Sequence, residues 1–239
     1  MLPLERYVDD PSRFKRSYSA SRDKSWVGND VDFNDIVKRT ADIDPHVAAQ
    51  LALIGAFGLR RKEAIMFMPN ISVVQQEDLP KGQELAESYA VFLRVKRGTK
   101  GGRLRFVAIR NDEQRTALEL ARKLAPGRYS HMGRPGLSLK QSLKRFDNVM
   151  QRLGITLRDL GVTAHGLRHE FAHELHVELT NVEAPVLGGE SCADPESLRL
   201  SLLEIARQLG HSRRKITKAY LGSHSQACRD SAERAMAGT

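Results

Sequence analysis

Residues 210–222 read GHSRRKITKAYLG, with Tyr220 nine positions after His211. A phenol hydroxyl becomes a nucleophile when a neighbour takes its proton and nearby cations bear the charge of its target. The same ring can equally be packing with a single hydrogen bond. A second stretch, HGLRHEFAHEL at 165–175, contains His169-Glu170-Phe171-Ala172-His173. Two histidines at i and i+4 with a glutamate between them match the ligand pair and general base of a zinc peptidase. His176 follows one turn later, and a further ligand would have to come from Glu190 or Glu196.

Other charged groups suit a phosphate better than a metal. In GLRRKE at 58–63, Arg60 and Glu63 are three apart and share a helix face. They are a phosphate clamp with its supporting acid, or a surface ion pair. RVKRGTKGGRLR at 94–105 carries Lys96, Arg97, Lys100 and Arg103 around three glycines. Such a basic hairpin tip is a protected sheet edge or a reach into a DNA groove. In HGLR, His165 and Arg168 again stand at i and i+3, and Thr163 is placed to cap their helix.

Taken in chain order, the set reads GLRxxE, a lysine on a hairpin tip, HxxRH, LGH, and a tyrosine nine residues on. This order resembles the catalytic domain of the tyrosine recombinases, the phage integrase family, over roughly residues 45–222. The resemblance implies catalytic roles for Arg60, Lys100, His165, Arg168, His211 and Tyr220, with Glu63 supporting the first arginine. Tyr220 would attack a DNA phosphodiester and form a 3′-phosphotyrosine, with release of a 5′-hydroxyl. Arg60 and Arg168 would hold the equatorial oxygens and Lys100 would protonate the leaving oxygen. His165 would assist proton removal from Tyr220, and His211 would bond a non-bridging oxygen. The chemistry asks for no metal and no cofactor. Lys96, Arg97, Arg103, Arg213 and Arg214 are the expected DNA contacts. Double-stranded DNA is the expected partner, with self-association on DNA and a monomer in isolation.

Three departures accompany the resemblance. From Arg168 to His211 is 43 positions (211 − 168), longer than the family pattern leads one to expect. The surplus falls within 177–199. Residues 1–44 are too few for an N-terminal clamp domain. Lys96 and Arg103 flank Lys100 and compete for its role. A type IB topoisomerase, a binding-only relative and the zinc peptidase remain as alternatives.

The elements that must position these residues are mainly helical. Asp44-Pro45 is a strong helix start before the apolar run 47–59, which carries Gln50 and two glycines. Segments 30–43, 59–68, 112–125, 138–154, 164–179 and 196–210 also carry helical spacing. Segments 89–96 and 103–110 alternate apolar and polar residues, pairing as a hairpin, with 71–76 as a third strand. The expected fold is therefore mainly α with a small antiparallel β-sheet, an α+β class. Residues 1–30 read as an arm or linker, 31–222 as the catalytic domain and 223–239 as a tail able to form a docking helix. Lys+Arg outnumber Asp+Glu by 38 to 29, a net charge of +9 that favours polyanions. The start MLPLERYVDD lacks the apolar core of a signal peptide, and Cys192 and Cys228 form no disulfide framework. A cytoplasmic protein with no membrane partner is the expectation.

Overall fold

The computed structural model describes residues 19–81, 89–189, 195–211 and 214–223, leaving aside the side chains of Pro195, Arg214 and Lys215. Helices dominate. They are α1 (Phe33–Ile43), α2 (Pro45–Phe57), α3 (Arg61–Met66), α4 (Asp112–Leu124), α5 (Leu139–Arg152), α6 (Gly166–Thr180), α7 (Pro195–Gln208) and the short α8 (Lys218–Leu221). Three strands, β1 (Val73–Gln75), β2 (Val91–Val95) and β3 (Arg105–Ala108), form one antiparallel sheet in chain order. Among the described residues, no helix is long and apolar enough to cross a membrane.

Local chemistry accounts for the helix boundaries. Asp44 accepts from the amides of His46 and Val47 at the start of α2, with Pro45 at its first turn. Asn111 and Ser138 cap α4 and α5 with reciprocal glutamine contacts from Gln114 and Gln141. Asp32 caps α1. α2 is apolar on every side because it is the central rod, packed against α1, α3, α4 and α6. Val47, Leu51, Leu53, Ile54 and Phe57 are all buried there.

The sheet is less alternating than its sequence suggests. Leu93, Val95 and Val107 face the main core, while Phe92, Phe106 and Ala108 form a smaller cluster on the other face with Val74, Leu79 and Tyr89. All four residues of β3 are buried, Arg105 included. Both faces are covered because α7 packs against β3. Gln208 of α7 fixes that contact, accepting from the amide of Ala108 at 3.3 Å.

The expected arm at 1–30 needs correction from Ser19 onward. Trp26 is fully buried in the main core, and its indole N–H donates to the carbonyl of Thr163 at 2.8 Å. Its ring lies against Gly166, where a Cβ would come within 2.9 Å of Trp26 Cδ1. The expected cap on α6 also fails. Thr163 serves through its carbonyl, which binds the indole and the amide of Gly166, and His165 takes the N-cap position without a side-chain bond. Residues 1–18 and most of the expected tail, 224–239, lie outside the described residues.

Trp26→Ala is expected to cost about 3–5 kcal/mol, read from urea denaturation followed by circular dichroism. Trp26→Phe should recover part of that loss but not the indole hydrogen bond.

Candidate active site

Two left-handed turns aim backbone carbonyls at one point. α2 ends on Gly58, with φ 55°, and its carbonyl accepts from Arg168 Nη1 and, at 3.4 Å, from Arg105 Nη2. A Cβ at Gly58 would stand 2.7 Å from Cδ1 of Phe171. α7 is followed by Gly210, with φ 67°, and the carbonyl of Leu209 beside it accepts from Arg168 Nη2. This turn closes through the amide of His211, bonded at 2.7 Å to Ala206, which sets His211 over the same point.

Arg168 therefore reaches its place on α6 with no exposed surface. Its Nε donates to Tyr220 Oη at 3.1 Å, and Nη2 lies 3.4 Å from His211 Nε2. Tyr220 on α8 is 7% exposed and its ring stacks on His211, 5.2 Å between centroids. His169 lies 4.6 Å and His165 5.9 Å from the same ring. The phenol is thus surrounded by three imidazoles and one guanidinium.

Arg60 joins from α3. Its backbone N–H donates to Glu63 Oε2 at 2.8 Å, and its Nη1 to Glu63 Oε1 at 2.7 Å. Glu63 has no exposed surface and also accepts from Arg105 Nη2 at 2.6 Å. Burial pushes its carboxyl up, but the Arg105 charge and the bonds from Arg60 and Arg105 outweigh this and hold it at about 2. The pair is buried, and it leaves the Arg60 side chain 28% exposed. Arg60, Arg61, Gln151, Thr156, Thr163 and His165 line one open groove of about 540 Å³. Arg60 is the accessible cation of the cluster and Arg168 the inaccessible one.

Arg105 is the residue that the sequence reading missed. It pairs with Val95 in the sheet, two positions from Val107, and so occupies the core phase of β3. It also donates to the carbonyl of Gln208. A charged residue at a core phase demands a buried counter-ion, and Glu63 supplies it.

Lys100 stands apart. It is exposed on a single turn at Lys100–Gly102 and has no hydrogen bond or ion pair to the Tyr220 group. The base of this hairpin tip is anchored, since a Cβ at Gly98 would lie 2.6 Å from the carbonyl of Lys62 on α3. Lys96 bonds the carbonyl of Gly102 at 2.6 Å, and Arg97 and Arg103 are exposed. Arg213 lies outside the described residues, as does the side chain of Arg214.

The HEFAH motif has other partners. Glu170 accepts from the backbone amides of Trp26 and Val27, at 2.9 and 3.2 Å. His173 Nε2 bonds the carbonyl of Tyr220 at 2.9 Å, and His169 packs on the Tyr220 ring. Among the described residues, no group of three His, Cys, Asp or Glu is arranged to hold a metal ion.

His165, His169 and His211 are kept neutral. Burial first, then the nearby His165 and His173 for His169, and Arg168 and Arg60 for His211, bring each down to about 3. His165 is lowered for the same reasons, weakened by its exposed side. A group whose folded value lies below its ordinary 6.5 contributes stability above that pH and loses it as the pH falls. Each of His169 and His211 should therefore cost up to about 1.4 kcal/mol per pH unit below 6.5. Glu63 adds its own loss only below its ordinary 4.5. Glu174, which burial raises to about 7, works in the opposite direction over the same range. The check is therefore an NMR titration of the imidazoles, in which protonation of His169 or His211 near 6.5 would contradict their buried neutral state. Glu63→Gln should cost about 3–5 kcal/mol at neutral pH, because it strands the buried Arg105 charge.

Comparison with known proteins adds a family to this geometry. The integrase family model matches residues 17–174, ending before His211 and Tyr220. No curated protein matches the chain. Among solved structures, a XerH site-specific recombinase bound to palindromic difH substrate, in a post-cleavage complex, is 19% identical with a TM-score of 0.46. That match covers 84% of this chain and 50% of the other. XerA recombinase is 17% identical with a TM-score of 0.47, over 95% of this chain and 69% of the other. The chain thus spans about half the length of the XerH recombinase it matches. With the family model matched over most of its length, this chain, a mainly helical domain with one small antiparallel sheet, belongs to the integrase family of tyrosine recombinases.

Proposed function

We propose that this chain is the catalytic domain of a site-specific DNA recombinase that breaks and rejoins double-stranded DNA through Tyr220, integrating or excising a mobile element. The carrying observation is the Tyr220 hydroxyl, 3.1 Å from Arg168 Nε and enclosed by His165, His169 and His211. A tyrosine that serves only packing has no use for a buried guanidinium and a ring of neutral imidazoles.

In this reading the phosphodiester enters along the groove lined by Arg60 and His165. Tyr220 Oη attacks phosphorus, and the bond to the 5′-oxygen breaks. The phenol proton passes to a neutral imidazole, with His165 the one open to the groove. Arg60 meets the phosphate oxygens from the groove, and Arg168 supports the attacking oxygen from beneath. His211, between Tyr220 and Arg168, gives a hydrogen bond to a non-bridging oxygen. Lys100 comes over from the hairpin tip and protonates the 5′-oxygen. The phosphotyrosine conserves the bond energy, so attack by a 5′-hydroxyl restores the DNA without ATP.

Lys96, Arg97 and Arg103 on the same hairpin take phosphates, with Arg213 and Arg214 near the tyrosine helix. The net charge of +9 supports this mode of binding. Assembly of protomers on paired sites, with the tail from 223 as the exchanged piece, belongs to the same proposal.

On a nicked suicide DNA substrate, the wild-type chain should form a covalent adduct in the presence of EDTA. Tyr220→Phe should form none and still bind DNA. Arg60→Ala should lower adduct formation about 100-fold or more, with Lys100→Ala lowering it less on a substrate with an activated leaving group. An adduct that survives the Phe change would overturn the assignment. Affinity should drop steeply between 50 and 200 mM salt.

A further inference from the structure

Two residues of HEFAH, Glu170 and His173, hold the segment before α1 and the main chain of Tyr220. Glu170 holds the backbone of Trp26 and Val27 on one side of α6. One turn later, His173, 5% exposed, bonds the backbone carbonyl of Tyr220 at 2.9 Å. Its other ring nitrogen, Nδ1, lies 3.9 Å from Asp23 Oδ1. Asp23 is itself fixed by the amide and hydroxyl of Ser25, at 2.8 and 2.7 Å. The segment 19–27 then reaches α8 directly. The amide of Ala20 donates to the carbonyl of Lys218 at 2.9 Å, and Ser19 Oγ lies 3.2 Å from Ser223 Oγ. Gly222 is in close contact too, since a Cβ there would lie 3.2 Å from the carbonyl of Ala20.

α8 has one turn and cannot hold itself in place. Its position comes from what grips its backbone. We infer that residues 19–27 form a strap that positions the tyrosine helix, with His173 as the positioning residue that joins strap to nucleophile. This rests on the reading of Tyr220 as nucleophile and extends it. His173 touches neither DNA nor the phenol oxygen, and acts by fixing the main chain from which the phenol projects. A shift of that main chain moves the hydroxyl off the line of attack, an error to which in-line displacement is very sensitive.

The test uses the full chain and the nicked suicide DNA. His173→Leu should slow adduct formation about tenfold or more while DNA affinity stays within about twofold, since no phosphate contact is removed. Hydrogen exchange at the amides of 218–222 should accelerate in the same variant. His173→Gln, which keeps a donor at similar reach, should restore most of both. Ala20→Pro, which deletes the strap's amide donor, should shift rate and exchange in the same direction and carries the test if His173→Leu does not fold. Unchanged exchange at 218–222 in these variants overturns the strap. So does a parallel loss of affinity and adduct, which would make His173 merely structural. If the wild type forms no adduct, the nucleophile reading has failed, and the exchange measurement still judges the strap alone.

Discussion

Everything around Tyr220 depends on a guanidinium with no exposure to water. Arg168 spends its donors on the carbonyls of Gly58 and Leu209, on Tyr220 Oη and on contact with His211. Those four groups come from the end of α2, the end of α7, the loop after it and α8. A buried cation without such partners would be prohibitively unfavourable, so the requirement runs in both directions. Helix ends must converge to satisfy Arg168, and their convergence places the phenol and imidazole side by side. Burial still draws the guanidinium down to about 10, well above neutrality, so it keeps its charge.

The core beneath this group is polar to an unusual degree for a central helix. α6 buries Arg168, His169, His173 and His176 among Leu167, Phe171, Ala172 and Leu175. The sheet sends in Arg105, and α3 sends in Glu63 to meet it at 2.6 Å. Glu63 thereby does two jobs with two oxygens. One binds the fixed Arg105, and the other orients the half-open Arg60 toward the groove. Positive charge is supplied in two grades, one buried within the fold and one open to the groove. The imidazoles of His169 and His211 remain uncharged chiefly because they are buried, and at His211 the nearby Arg168 and Arg60 add to this.

Much of this was legible in the residues, and the exceptions have physical causes. Asp44-Pro45 announces a helix start by local chemistry, and α2 begins there, as α1, α4 and α5 begin beside the caps Asp32, Asn111 and Ser138. The hairpin and the third strand were readable from their patterning. Arg60, Lys100, His165, Arg168, His211 and Tyr220, with Glu63, were named from the family resemblance, and all but Lys100 are gathered around one point. Arg105 was hidden because a basic hairpin looks solvated, and only the phase of β3 marks it as internal. Trp26 was hidden by its polar neighbours, since a lone apolar anchor in SRDKSWVGND has no periodicity to detect. HEFAH was ambiguous rather than hidden. Its spacing was right for a metal, but a helix repeat that aligns two ligands also aligns two clamps, and only the packed neighbours decide between them.

The hairpin divides its glycines between two duties. Gly98 is pressed against the backbone of Lys62, while nothing lies within 4 Å of a Cβ at Gly101 or Gly102. The tip is therefore a short tether with a fixed root and a free end. For Tyr220 the fold specifies an orientation; for Lys100 it specifies a search volume. A group confined in this way visits its target at high local concentration without being held there. In the proposed reaction, its timing would follow the arrival of the DNA.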